Sequence, residues 1–264
     1  MAKYTVKELQ DLKGQRKLSF IRVSCAEEVL AAEAAGIDMI GTSYSIDTRS
    51  FCKRAPDTHF RMGLQYGEHC NADEAIKRAF EAMSDGADTI YCSMSYDVVE
   101  RMAKEGIPVI GHVGLVPAWS TWTGGYKAVG KTANQAVELY KQVKRYEEIG
   151  AAGVEIEVVP HKVASEISKR TSILTMSLGS GSGCDIQALY GCDILGNPPN
   201  GKIPRHAKVY YDISKELKNL QRIRTDAFSE FRSDVLRNQF PETKHLVEIP
   251  DLEFGEFINN IERK

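Results

Sequence analysis

Residues 107–131 read IPVIGHVGLVPAWSTWTGGYKAVGK, a short apolar run followed by a long polar and aromatic segment. The apolar run ends at Gly111-His112, and the segment after it holds both tryptophans of the chain, Trp119 and Trp122. Buried parallel strands are such continuous apolar runs, and the loops that follow them commonly carry functional residues. The stretch therefore predicts a buried strand that delivers His112 to a pocket covered by an aromatic loop.

The same strand-then-helix unit repeats on both sides of this stretch. Predicted helices end at Gly36, Gly86, Gly106 and Gly150, as is typical of helix C-termini. Apolar runs that predict strands occupy residues 18–23, 38–43, 59–64, 88–93, 108–115, 153–159 and 173–178.

Other segments are assigned from capping and composition. Residues 4–17 predict a leading helix with Thr5 and Glu8 as a capping box, and Asn71 predicts the cap of a helix that runs to residue 85. We expect residues 185–190 to form a short helix before 192–196, and residues 205–237 to be helical with a stripe at Ile213, Leu217, Leu220 and Ile223.

Together these units predict an α/β fold, a (β/α)8 TIM barrel. About eight strand-helix units in 264 residues close into a barrel more readily than they remain an open sheet. We expect a single domain over residues 1–264, with the barrel over about 18–204 and a helical extension over about 205–264. In such barrels the active site lies at the C-terminal ends of the strands.

Two acids lie within the predicted sixth strand. Glu155 and Glu157 share one face, because side chains in a strand repeat every two residues. An acid pair inside a barrel needs a charged partner or a chemical role.

Composition excludes some classes of partner. The formal net charge is -2 and no basic run is interleaved with aromatic residues, so we expect no nucleic acid and no anionic membrane surface. Six cysteines without a Cys-x-x-Cys pair favour reduced thiols over disulfides or a structural zinc site. No apolar run approaches the roughly 20 residues of a spanning helix, and residues 1–16 do not resemble a secretory signal, so we expect a cytoplasmic location.

Several blocks resemble a known family. Residues 111–117 (GHVGLVP), with Gly124-Gly125-Tyr126-Lys127 and Gly130, are similar to ketopantoate hydroxymethyltransferase (3-methyl-2-oxobutanoate hydroxymethyltransferase), of the phosphoenolpyruvate/pyruvate barrel superfamily. Three further blocks extend the resemblance over most of residues 15–210: residues 156–160 (IEVVP), 178–181 (LGSG) and 201–208 (GKIPRHAK).

The resemblance implies a reaction. In this family a divalent metal, usually magnesium, chelates a 2-oxo acid, and the enolate of that acid attacks a one-carbon unit from methylenetetrahydrofolate. The matched positions imply Glu157 and His112 as catalytic residues and Thr42, Ser43, Tyr91, Ser93 and Gly179 as substrate-binding residues.

The chain departs from the family at the metal. Its carboxylate positions fall on Thr42, Gly63 and Ser93, and Tyr91 replaces a substrate-binding lysine. Magnesium prefers carboxylate oxygens, which these residues do not have. We therefore expect no metal site of the family's kind.

Three functions remain open. The first is a hydroxymethyltransferase-like enzyme that enolises a 2-oxo acid and forms a carbon–carbon bond, using methylenetetrahydrofolate if the family reaction is kept. The second is a metal-independent lyase or isomerase of another small carboxylate. The third is a non-catalytic paralogue, a binding or assembly subunit. We expect a small 2-oxo acid or related carboxylate as ligand and a homo-oligomer as the assembly.

Overall fold

Eight parallel strands close into a barrel in the computed structural model, which describes residues 3–263. The strands follow one another in sequence order around the barrel, and the last pairs with the first. They are β1 Leu18–Arg22, β2 Met39–Ser43, β3 His59–Gly63, β4 Thr89–Tyr91, β5 Val109–Gly114, β6 Gly153–Glu157, β7 Leu174–Leu178 and β8 Ile186–Tyr190. The (β/α)8 prediction is confirmed.

Helices follow most of the strands. They are α1 Val6–Asp11, α2 Ala26–Ala34, α3 Ala72–Ser84, α4 Tyr96–Lys104, α5 Ser120–Thr123, α6 Ala133–Glu148, α7 His161–Lys169, α8 Gly191–Ile194, α9 Ser214–Leu236 and α10 Asp251–Glu262, with short 3-10 turns at Phe51–Arg54, Pro117–Trp119 and Thr243–His245. The predicted caps are confirmed: Thr5 and Glu8 form a capping box, and the Asn71 side chain accepts a hydrogen bond from the Glu74 amide.

The prediction for residues 185–190 was wrong. This segment is strand β8, paired over five residues with β1 and over two with β7. Gln, Ala and Leu favour helices locally, but the barrel closes only if a strand fills the gap between β1 and β7. The helix of this unit comes afterwards, as α8.

Two other helix predictions were too long. The leading helix covers only Val6–Asp11 of the predicted 4–17, and the C-terminal helix begins at Ser214 rather than at residue 205. Residues 205–213 contain no proline or glycine, but the amides of Tyr210 and Tyr211 both donate to the carbonyl oxygen of Ile194 in α8, and this contact replaces the helical hydrogen bonds there.

Contacts divide the chain into two compact units, Met1–Asp212 and Ile213–Lys264. The first contains the barrel, whose core is formed by the buried faces of the strands and of the surrounding helices. Helix α3, for example, buries four alanines against that core. A second core cluster, which includes Leu9 of α1 and Leu18, Leu174 and Ile186, fills the barrel near the strand N-termini. The second unit contains α9 and α10.

Two local findings bear on the composition analysis. All six cysteines are free, and Cys52, Cys92 and Cys184 are buried. Among the described residues, no helix combines the length and the apolar character that crossing a membrane requires.

Candidate active site

A cavity of about 240 Å³ opens at the C-terminal ends of the strands. Six of the seven residues predicted from the sequence line it: Thr42, Ser43, Tyr91, Ser93, His112 and Glu157. The seventh, Gly179, lies instead in a second cavity of about 650 Å³ that His206 also lines. A Cβ atom at Gly179 would stand 2.7 Å from Cγ of His206, so this close packing requires glycine.

His112 links two groups in the first cavity. The Tyr91 hydroxyl lies 2.5 Å from Nδ1 of His112, and Nε2 on the opposite side of the ring lies 3.3 Å from Oε2 of Glu157. Burial raises the pKa of Tyr91, so its hydroxyl keeps its proton and donates it to Nδ1. The imidazole proton then sits on Nε2 and faces Glu157.

Nε2 of His112 is buried, yet it has no aligned hydrogen bond among the described residues. The 3.3 Å approach to Glu157 is thus a contact whose geometry falls short of a hydrogen bond. A donor left in this position can turn towards an oxygen of a bound ligand.

Glu157 has the properties of a general base. Burial raises its pKa above the ordinary value of 4.5, and the opposing contact with His112 does not cancel this effect. A carboxylate with a raised pKa accepts a proton from carbon more readily than an exposed one.

The backbone around Glu157 is tightly constrained. Val158 has φ 49°, a left-handed conformation that β-branched residues rarely adopt. On the neighbouring strand, a Cβ at Gly114 would lie 2.3 Å from the carbonyl oxygen of Glu157, and the Leu115 amide donates to that oxygen. The second glycine of the GHVG block thus allows β5 to approach the end of β6 and fixes Glu157.

An ion pair that crosses the interior of the barrel forms part of the cavity lining. Nη1 of Arg61 on β3 lies 2.6 Å from Oε2 of Glu155 on β6, and both side chains are more than nine-tenths buried. The guanidinium also stacks on Phe20 and Tyr91, at 4.1 and 5.1 Å from the ring centres. Burial raises the pKa of Glu155, but the charge and hydrogen bond of Arg61, together with His112 and Arg22, outweigh it and hold the pKa below the ordinary value.

A second arginine stands at the end of β1. Nη2 of Arg22 donates to Oγ of Ser43 over 2.7 Å, and the guanidinium lies 5.0 Å from the ring centre of Tyr190. Arg22 and Tyr190 line the same cavity as His112 and Glu157.

Three residues that line the cavity were not predicted from the sequence: Arg22, Arg61 and Tyr190. A signal was present, since both arginines interrupt apolar runs that were predicted to be buried strands, Phe-Ile-Arg-Val and His-Phe-Arg-Met. Arginine is rarely buried without a partner or a function. The sequence places Glu155 and Glu157 on one face, but only the structure shows that Glu155 is paired with Arg61 and that Glu157 is not.

The side chains at the family's metal-binding positions do not suit a magnesium ion. Thr42, Gly63 and Ser93 do meet there, but none offers a carboxylate. Ligand atoms of His112, Glu155 and Glu157 lie within 4.8 Å of one another, which is a possible metal spacing. Glu155, however, is already bound to the Arg61 cation, and an imidazole is a poor ligand for magnesium.

A solved structure confirms the class of barrel. Phosphonopyruvate hydrolase, in a complex with oxalate and Mg++, aligns with 100% of this chain and 99% of its own, with a TM-score of 0.53 and 12% identity. At this identity the similarity concerns the fold alone.

Sequence comparisons extend over nearly the whole chain. The family model for ketopantoate hydroxymethyltransferase matches residues 41–243. Among 3-methyl-2-oxobutanoate hydroxymethyltransferases, the Thermus thermophilus protein is 30% identical over 91% of this chain and 98% of its own. The Geobacillus protein is 31% identical over 84% of this chain and 86% of its own. The Pyrococcus furiosus protein is 28% identical over 100% of this chain and 99% of its own. This chain therefore belongs to the ketopantoate hydroxymethyltransferase family.

Proposed function

We propose that the protein is a hydroxymethyltransferase-type enzyme that enolises a small 2-oxo acid and forms a carbon–carbon bond at the enolate carbon. The observation that carries this proposal is Glu157, a buried carboxylate with a raised pKa beside His112 in the cavity at the strand ends. Family membership supports the reaction class, since the relatives are named as 3-methyl-2-oxobutanoate hydroxymethyltransferases.

Glu157 removes a proton from the carbon next to the keto group. The electron pair of that C–H bond becomes the enolate, and the proton moves to the Glu157 carboxylate, which returns it to the oxygen of the new hydroxymethyl group. If the family reaction is kept, methylenetetrahydrofolate and one water would supply a one-carbon unit at the oxidation level of formaldehyde, with tetrahydrofolate as the second product.

Hydrogen-bond donors stabilise the negative charge on the enolate oxygen. The buried Nε2 of His112 and the hydroxyls of Thr42, Ser43 and Ser93 face the same cavity. Preorganised donors that face a developing oxyanion, in a site with little water, are an effective source of transition-state stabilisation. No step is assigned to magnesium, because its family positions carry no carboxylate.

Exchange of the substrate proton with solvent tests enolisation without assuming that a carbon–carbon bond forms afterwards. We expect the protein to exchange the C3 proton of 3-methyl-2-oxobutanoate for deuterium in D2O, followed by proton NMR. Glu157→Gln should slow this exchange by about 100-fold or more, the usual range for loss of a general base. The matched control is Glu148→Gln, an exposed acid on α6.

The outcomes also separate the alternatives. Exchange followed by ketopantoate formation on adding methylenetetrahydrofolate supports the full family reaction. Exchange without that product favours a lyase or isomerase of a related carboxylate. Exchange no faster than without protein, in EDTA and in magnesium alike, contradicts an enolising enzyme and leaves the non-catalytic paralogue.

We also propose that the chain forms a homo-oligomer. Leu217, Leu220 and Ile223 form an apolar stripe on α9, and each is at least 43% exposed in the single chain. Light scattering should give a mass above that of one chain, and Leu220→Asp with Ile223→Asp should lower it; a monomeric wild type would contradict the proposal.

A further inference from the structure

The guanidinium of Arg22 is held in place by two uncharged side chains. The hydrogen bond to Ser43 and the stacking on Tyr190 together fix its plane, and this hydrogen bond uses one of its five N–H donors. Within residues 3–263, Arg22 forms no ion pair, whereas Arg61 is paired with Glu155 at 2.6 Å.

Ser43 completes the group. Its Oγ accepts from Arg22, so its own hydroxyl hydrogen is available for another acceptor. Arg22 and Ser43 therefore present several donors from the ends of β1 and β2 to one cavity, and the planar fork of a guanidinium matches the two oxygens of a carboxylate.

The charges in the cavity favour an anion over a cation. Two guanidiniums, Arg22 and Arg61, and two acids, Glu155 and Glu157, line the cavity. Glu155 is paired with Arg61 at 2.6 Å and Glu157 lies against His112, so Arg22 is the cation in this cavity that a bound anion can reach. The positions that would hold a cation in the family, Thr42, Gly63 and Ser93, are neutral. A divalent ion here would be repelled by two positive groups, whereas a carboxylate would pair with Arg22.

We propose that Arg22, together with the Ser43 hydroxyl, binds the carboxylate of the substrate without a divalent cation. The inference rests on the proposed function in one respect, that the ligand is a small 2-oxo acid. Arg61 does not take this role: Glu155 already neutralises it, and it is a positioning residue that keeps Glu155 ionised.

Binding of 3-methyl-2-oxobutanoate to the full chain tests whether Arg22 and Ser43 hold its carboxylate, the pair that we call the carboxylate anchor. We expect isothermal titration calorimetry to give the same Kd in EDTA and in magnesium. The uncharged analogue 3-methyl-2-oxobutanamide should bind at least tenfold more weakly, since it lacks the charge that pairs with the guanidinium.

Arg22 variants identify the residue. Arg22→Gln should weaken binding of the acid by about tenfold to a hundredfold and leave binding of the amide nearly unchanged. Arg22→Lys keeps the positive charge but not the planar guanidinium, so its Kd for the acid should lie between those of the wild type and Arg22→Gln. The control is Arg101→Gln, an exposed arginine of α4. If Arg22→Gln does not fold, as judged by circular dichroism, Arg22→Lys and the amide still decide the question.

Three results would overturn the anchor: binding that disappears in EDTA and returns with magnesium, equal binding of acid and amide, or no binding of the acid at millimolar concentration. The proton exchange experiment distinguishes this failure from failure of the proposed function. Metal-free binding without exchange keeps the anchor and rejects the enolising enzyme. Exchange that requires magnesium for binding keeps the enzyme and rejects the anchor.

Discussion

The buried pair Arg61–Glu155 gives a sharp test of how the barrel interior is held together. Glu155→Gln leaves a guanidinium that is more than nine-tenths buried without its counter-ion. Breaking a buried pair from one side costs about 3–5 kcal/mol. The stacking of Arg61 on Phe20 and Tyr91 survives this change, so we expect a loss near the lower end, about 3 kcal/mol.

Arg61→Met is expected to respond differently to pH. A guanidinium cannot lose its proton, but the carboxyl left behind in this variant can gain one. In the wild type the pKa of Glu155 is lowered, so its contribution to stability is present above the unfolded pKa and is lost as the pH falls. Without Arg61, burial raises that pKa, and the folded variant is favoured at low pH.

The loss caused by Arg61→Met should therefore shrink between pH 7.5 and pH 5, by up to about 1.4 kcal/mol for each pH unit over which Glu155 is protonated. The loss caused by Glu155→Gln should stay constant. Urea unfolding followed by circular dichroism measures both, and the double variant Arg61→Met/Glu155→Met should recover most of the stability.

The reasoning is refuted if both single variants lose less than about 1 kcal/mol, which is the range of exposed pairs. It is also refuted if the loss in Arg61→Met is equal at the two pH values. The exposed pair of Lys104 and Glu100 on α4 supplies the control, and Glu100→Gln should show no measurable loss.

Three further predictions follow from single contacts. Gly111→Ala places a Cβ 2.3 Å from the buried ring of Tyr146 and should cost about 1–3 kcal/mol in urea unfolding, whereas Gly255→Ala, with open space around it, should cost nothing. Burial raises the pKa of Glu147, but hydrogen bonds from Lys144, Ser172 and Thr171 outweigh it and lower this pKa to about 2. Ionised Glu147 should therefore contribute about 1–2 kcal/mol to the free energy of unfolding after screening, and this contribution should be lost as the pH falls from 4.5 to 2. Glu147→Gln should abolish that part of the pH dependence of stability, and an unchanged pH profile would contradict the assignment. Because Glu157 must be ionised to act as a base and its pKa is raised, the exchange rate should increase with pH and reach half its maximum above pH 4.5; a rate that is flat or falls with pH would exclude this role.

Much of the barrel follows from local sequence. Apolar runs separated by helices that end at glycine predicted seven of the eight strands to within a few residues, because burial on both faces and the αL cap leave signals in neighbouring positions. The same logic placed His112 and Glu157 at the ends of β5 and β6, and Thr42 and Ser43 at the end of β2. It failed for β8, where local preference favours a helix and only the pairing with β1 and β7 makes a strand.

The sequence by itself determined the barrel, the family and six of the residues that line the cavity, since these depend on periodicity and on motifs within short stretches. Tertiary structure alone decided which charges meet. Arg61 and Glu155 are 94 positions apart and Arg22 and Ser43 are 21 apart, and no local pattern records a contact across a closed barrel. That closure makes Glu155 the partner of Arg61, gives Glu157 a raised pKa through burial, and sets Arg22 against Ser43 and Tyr190.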